Sequence, residues 1–199
     1  MNVKLKKSFR FYTGLVYNNE FAINVYDATL HMTTVSMDPE QQNIAYDRIS
    51  YWIDQVLQDA VLISSDSAVL DAYRVTGQRL IVFPQDPVDQ VVGAMLYLKL
   101  NAIAEDRLAV TGVELASSYG DDVVYLHYAG EEVGTLADAG WWTDPRPFWS
   151  NTKKRKSVNK VISMDRMPEW SELGLSWQEP ADQQDNTVVF ADFPKNENK

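Results

Sequence analysis

The chain has no cysteine. This excludes disulfides, thiolate nucleophiles and cysteine-type zinc sites together, and it fits a reducing compartment. Histidine is almost as scarce, with only His31 and His127, fewer than the three protein ligands usual for catalytic zinc. No apolar run approaches the length of a membrane span, and the basic opening, Met1 to Arg10, lacks the apolar stretch of a secretory signal. Positive charge is also short: the net charge is −10 and the pI about 4.6. Such a surface repels nucleic acid phosphates over most of its area. No P-loop, dinucleotide fingerprint, Gly-x-Ser-x-Gly or metalloprotease motif occurs. Asp66, Asp71, Asp86 and Asp89 lack calcium-loop spacing. The expectations are no metal, no cofactor, no membrane and no nucleic acid partner, in a cytoplasmic protein.

What is present suffices for a globular core. The chain has 199 residues, of which 45% are hydrophobic and 23% charged, which suits one domain with an appended tail. Residues 8–17 alternate, with Phe9, Phe11, Thr13, Leu15 and Tyr17 on one face and Arg10, Tyr12 and Val16 on the other. Asn18-Asn19-Glu20 reads as a hairpin turn, because Asn tolerates positive φ. A long strand follows, with Phe21, Ile23, Val25, Asp27, Thr29 and His31 opposite Tyr26, Ala28, Leu30 and Met32. A helix then opens at Asp38 as N-cap, with Pro39 in its first position and Gln41 as capping-box partner. Its stripe is Ala45, Ile49, Trp52, Ile53, Val56, Leu57 and Ala60.

A short helix over Ala68–Tyr73 and an apolar run over Leu80–Phe83 precede a second main helix. Asp86-Pro87 predicts its start, and its near-continuous apolar surface up to Lys99 predicts burial on more than one side. Residues 108–118 alternate again, with Val110, Gly112, Glu114 and Ala116 on one face and Ala109, Thr111, Val113 and Leu115 on the other. Gly120-Asp121-Asp122 turns the chain into Val123–Tyr128. The fold class is therefore α+β, of order ββααββ: two antiparallel hairpins packed with two helices. The core spans residues 1–134. Residues 135–199 form an irregular extension rich in tryptophan and proline, with a possible strand at Thr187–Phe190. Long hairpins leave edges that closure of a barrel between subunits would cover, so a homo-oligomer is expected.

This order over residues 8–129, with a glutamate in Val113-Glu114-Leu115, resembles the tunnelling fold of the pyruvoyl-tetrahydropterin synthase family. The resemblance implies that Glu114 anchors a purine- or pterin-like ring at a subunit boundary, beside the small residues Gly112 and Ala116. A carboxylate suits that task because it accepts two parallel N–H bonds. The family's zinc histidines and catalytic cysteine have no counterparts. Its Asp-His pair falls at Gln58-Asp59-Ala60, so the resemblance implies a relative without zinc chemistry. Pro39 to Gln42, Pro87-Val88-Asp89-Gln90 and Gly140-Trp141-Trp142 are more loosely similar to uncharacterised proteins of large tailed bacteriophages, which implies a virion or host-takeover protein of unknown role, located in the virion instead of the cytoplasm in the first case.

The segment Trp141–Trp149 has two readings. Trp141, Trp142 and Trp149 form a partner interface, since Trp is a common interface anchor, or the tail wraps back onto its own core. Lys153–Lys156 reads as a solvated run or a contact with acidic surface. Two functions stand side by side: an oligomeric, non-catalytic assembly or interaction protein, and a zinc-less protein binding a purine- or pterin-like ligand through Glu114.

Overall fold

The computed structural model describes residues 3–121, 123–147 and 168–177. Trp149, Lys153–Lys156 and the strand expected at Thr187–Phe190 lie outside these residues. Strand β1 (Lys4–Tyr17) and strand β2 (Glu20–Thr34) form a long hairpin in register from Lys4↔Thr33 to Tyr17↔Glu20. The two-residue turn between them puts Asn18 and Asn19 at φ 51° and 63°, the left-handed conformation that matches strand twist.

Helix α1 (Pro39–Tyr51) starts as its sequence predicts, with the Asp38 carboxylate accepting from Glu40 N at 2.9 Å. The capping-box bond expected from Gln41 is replaced: the Asp38 N–H donates to Ser36 Oγ at 3.2 Å, and Gln42 Nε2 donates to the Ser36 carbonyl at 2.7 Å. The helix widens into a π-helical turn, Trp52–Leu57, which carries Trp52, Ile53, Val56 and Leu57 into the core. Asp59, at φ 62°, then reverses the chain.

Two short strands follow that the apolar pattern left unassigned or ambiguous. β3 (Val61–Ser64) lies parallel to β1, and β4 (Leu80–Phe83) lies parallel to β3. Helix α2 (Leu70–Arg74) connects them. Helix α3 (Asp89–Ala104) begins two residues later than Asp86-Pro87 suggests, with Val88 as its N-cap and no side-chain cap. Asp89 is instead buried and accepts from Ser117 Oγ at 2.7 Å. β5 (Leu108–Ser117) and β6 (Val124–Tyr128) complete an open six-stranded sheet of order β4-β3-β1-β2-β5-β6.

The two faces of this sheet differ. One is covered by α1 and α3 around Phe11, Tyr26, Leu30, Trp52, Met95 and Leu115. The other is covered only at the β3–β4 end, where Val16, Val61, Ile63 and Val82 pack with Leu70 of α2. Alternation along each strand makes this division, because successive side chains point to opposite faces.

Alternation fails at one place. The β2–β5 register shifts between His31↔Gly112 and Met32↔Val110, so Thr111 is the extra residue of a β-bulge. Val110 therefore turns into the core beside Val113 and Leu115, not onto the Glu114 face as strict alternation predicts. Asn101 of α3 binds both backbone groups of Val110, at 2.9 and 3.0 Å.

The described part of the C-terminal extension wraps back onto the core. Trp141 and Trp142 are 9% and 7% exposed, and their indole N–H groups donate to Val82 O and Leu136 O. They are core side chains, which corrects the expectation of a partner surface at these two positions. Burial of large aromatic area with a satisfied N–H favours this placement.

Two buried cations fasten the segment. Lys99, with no exposure, donates from Nζ to the carbonyls of Trp141, Asp144 and Arg146 at 3.3, 2.6 and 3.0 Å. Arg48, 2% exposed, donates to Leu175 O at 2.7 Å and to Glu105 at 2.8 Å. Its guanidinium lies over the rings of Trp170 and Trp177, 4.8 and 3.6 Å from their centroids.

Candidate functional site

Glu114 sits on the uncovered face of the sheet, in the middle of β5. Cross-strand pairing places it beside Thr29 of β2 and Leu126 of β6. His31 lies on the same face, one pair further along β2, and its Nε2 is 2.6 Å from Glu114 Oε1. Lys6 faces His31 across the β1–β2 hairpin and reaches the same oxygen at 3.4 Å. The hydrogen bond with His31, more than the nearby Lys6 charge, holds the Glu114 carboxyl below the usual carboxylate range. Ser8 and Thr29 are hydrogen-bonded at 2.9 Å in the next row, and Arg10 pairs with Asp27 at 3.7 Å in the row after it. A polar strip thus crosses three adjacent strands.

This geometry bears directly on ligand binding. Both neighbours of Glu114 use Oε1, and no hydrogen bond reaches Oε2 among the described residues. Bidentate acceptance from a planar ring requires both oxygens, so such a ring would have to displace His31 and Lys6. The room expected over Gly112 is also taken. A Cβ on Gly112 would lie 2.5 Å from a Tyr128 ring carbon, because that ring folds across the glycine and tilts against His31 at 6.1 Å. Aromatic cover of a strand glycine is a sheet-stabilising device.

Two apolar patches flank the polar strip. One comprises Tyr12, Phe21 and Ile23 near the β1–β2 turn, with Ile23 73% exposed. The other comprises Val124, Leu126 and Tyr128 on β6, with Leu126 54% exposed. β6 has a neighbour on one side only, and β4 is the opposite edge.

Among the described residues, no group of three or more His, Cys, Asp or Glu side chains is placed to hold a metal ion, and no helix is long and apolar enough to cross a membrane. His31 and His127 lie apart in role. The first pairs with Glu114 on the open face, and the second is buried on the helix side, its ring 4.9 Å from that of Tyr97. The pairing of His31 with Glu114 was not readable from either residue's own surroundings, because it depends on the register between strands remote in sequence.

The fold defines an α+β protein with α1 and α3 on one face of an open mixed sheet and the short α2 at one end of the other. No family model and no curated protein matches the chain. Among solved structures, it is similar to an uncharacterized protein of Wolinella succinogenes, with TM-score 0.46 and 14% identity over 65% of this chain and 99% of that one. It is also similar to the 6-pyruvoyltetrahydropterin synthase of Plasmodium vivax, with TM-score 0.39 and 12% identity over 64% of this chain and 97% of the other. A catalytic-residue mutant of that enzyme gives a TM-score of 0.40 at 12% identity.

Proposed function

We propose that this protein is a non-catalytic assembly protein whose copies associate through the uncovered sheet face and the β6 edge. The observation that carries this reading is the pair of exposed apolar patches, Tyr12, Phe21 and Ile23 on one side and Val124, Leu126 and Tyr128 on the other. Soluble monomers rarely leave a large contiguous apolar surface in water, and an open strand edge invites pairing with another chain. The intervening strip of Lys6, His31, Glu114, Arg10 and Asp27 supports the same reading. Paired charges between apolar patches fix the register of an interface more than they add to its affinity. Glu114 as a ring-binding anchor is the lesser reading, because Oε1 is engaged and Tyr128 fills the adjacent space.

Sedimentation of the full chain tests the proposal. The wild type is expected to run as an oligomer, and the double variant Ile23→Asp, Leu126→Asp as a monomer with an unchanged far-ultraviolet spectrum. A monomeric wild type, or an oligomer indifferent to both substitutions, overturns it.

A further inference from the structure

The two edges of the sheet are finished differently. On β4 the outward carbonyl of Val82 accepts from the Trp141 indole N–H at 3.0 Å, under the folded-back extension. Among the described residues, no strand lies beyond β6. Ala129, just past β6, donates to Thr111 O at 3.1 Å. Backbone groups alternate in direction along a strand, so those of Tyr125 and His127 face β5 and those of Val124 and Leu126 face outward. An unpaired row of N–H and C=O groups is a template for one more strand.

The helix side of the same edge holds a seat for side chains. A cavity of about 320 Å³ opens there, with Val91 and Ala94 of α3 and Tyr125 of β6 among its walls.

The chain itself supplies an occupant. The last described residue is Trp177, whose ring lies under the guanidinium groups of Arg48 and Arg107, 3.6 and 4.5 Å from its centroid. Arg107 leads directly into β5 at Leu108, and Tyr128, the last residue of β6, pairs with Gly112. Trp177 therefore stands at the end of the sheet where β6 finishes: Leu108 is about 13 Å along β5 and about 5 Å across it from Tyr128. Residues 178–186 span up to about 30 Å when extended, enough to reach that edge. Beyond them, Val188-Val189-Phe190-Ala191 is the one apolar run in residues 178–199, set between Pro180 and Pro194. With Thr187 before it, the run has the composition of a β-strand.

We propose that residues 187–191 add to the outer edge of β6 of their own chain as an antiparallel seventh strand. The direction follows from the point of entry, since the chain arrives beside Tyr128 and runs back toward Val124. Alternation then separates Val188 and Phe190 from Thr187, Val189 and Ala191. The larger pair suits the cavity, and the smaller set falls beside Leu126 on the open face. In strand addition of this kind the main-chain bonds give affinity and the alternate side chains give register. The added strand moves the edge outward by one and leaves the open face exposed, whether or not copies associate through that face.

The absence of cysteine gives a clean background for disulfide trapping in the full chain. Leu126→Cys is combined in turn with Thr187→Cys, Val188→Cys, Val189→Cys, Phe190→Cys and Ala191→Cys. A disulfide requires Cα atoms about 4.4–6.8 Å apart, so one position is expected to link within a single chain, at least tenfold faster than either neighbour. Val75→Cys, exposed beyond α2 at the β3–β4 end, replaces Leu126→Cys as the control. Hydrogen exchange reads the same contact without a covalent bond: the Leu126 N–H is expected to exchange at least tenfold slower in the wild type than in Phe190→Asp, with unchanged far-ultraviolet spectra. Uniform linking along the segment, linking no faster than the Val75→Cys control, a disulfide between two chains, or equal exchange in Phe190→Asp each overturns the proposal.

Discussion

Lys99 and Arg48 are both buried cations, and each holds a piece of the C-terminal extension against the same helical layer. They do so by different means. Lys99 spends its three N–H donors on three neutral carbonyls, those of Trp141, Asp144 and Arg146. Arg48 combines two backbone carbonyls, those of Leu175 and Ile103, with a carboxylate and two indole faces. The ammonium acts as a compact point donor that gathers a loop around itself, whereas the guanidinium acts as a plate that is stacked and edge-bonded at once. The difference shows in proton affinity. Burial lowers the pKa of Lys99 from 10.5 to about 8, against the favourable pull of Asp144. Burial also lowers that of Arg48, and the Glu105 hydrogen bond opposes the shift, but a guanidinium stays charged throughout ordinary pH.

The largest test of this contrast is Lys99→Met, which keeps the apolar stem but leaves three carbonyls without their donor. It is expected to cost about 3 kcal/mol and to expose Trp141 and Trp142, read by denaturant melts and tryptophan fluorescence. A cost within about 0.5 kcal/mol, the scale of ordinary surface changes, would mean that the Lys99 cage contributes little. Arg48→Lys comes next. It keeps the charge but loses the planar stack, at about 1–2 kcal/mol, with fluorescence changes confined to Trp170 and Trp177. An equal response at all four tryptophans would erase the distinction between the clamps.

The smallest effect concerns pH. The unfolded chain binds the Lys99 proton more tightly than the folded one, so stability from this residue rises with pH between about 8, the folded value, and 10.5, the ordinary one. The Tm of the wild type should therefore climb relative to that of Lys99→Met across this window. A flat or falling difference would contradict the depressed pKa. Arg48→Lys introduces a second titratable ammonium and should steepen the rise.

Much of the architecture was legible in the sequence, and the exceptions have physical causes. The Asn18-Asn19 turn, the Asp38-Pro39 helix start and the opposite faces of β2 are local features, and the structure places them as read. Asp86-Pro87 imitates a helix start, but the chain stays extended until Val88, and Asp89 enters the core to meet Ser117. β3 and β4 are four-residue apolar runs, too short for periodicity to separate strand from helix. The place of Glu114 on its strand was readable from pattern. Its bond to His31 was not, since cross-strand register over a long sequence separation leaves no local trace. Lys99 did carry a signal: a lone lysine inside an apolar helix either ends the buried stripe or finds partners inside it, and here it finds carbonyls.

The extra residue at Thr111 has a consequence for how this chain tolerates change in length. Upstream of it β5 belongs to the α3 packing, through Val110 and Asn101, and downstream it displays Glu114 to the outside. Thr111 is where the strand changes phase. Deleting it leaves no phase that satisfies both halves: either Val110 swings into water or Glu114 is driven under the helices. Loops can gain or lose residues at little cost, but within this strand a single-residue deletion is a change of address for every side chain on one side of it.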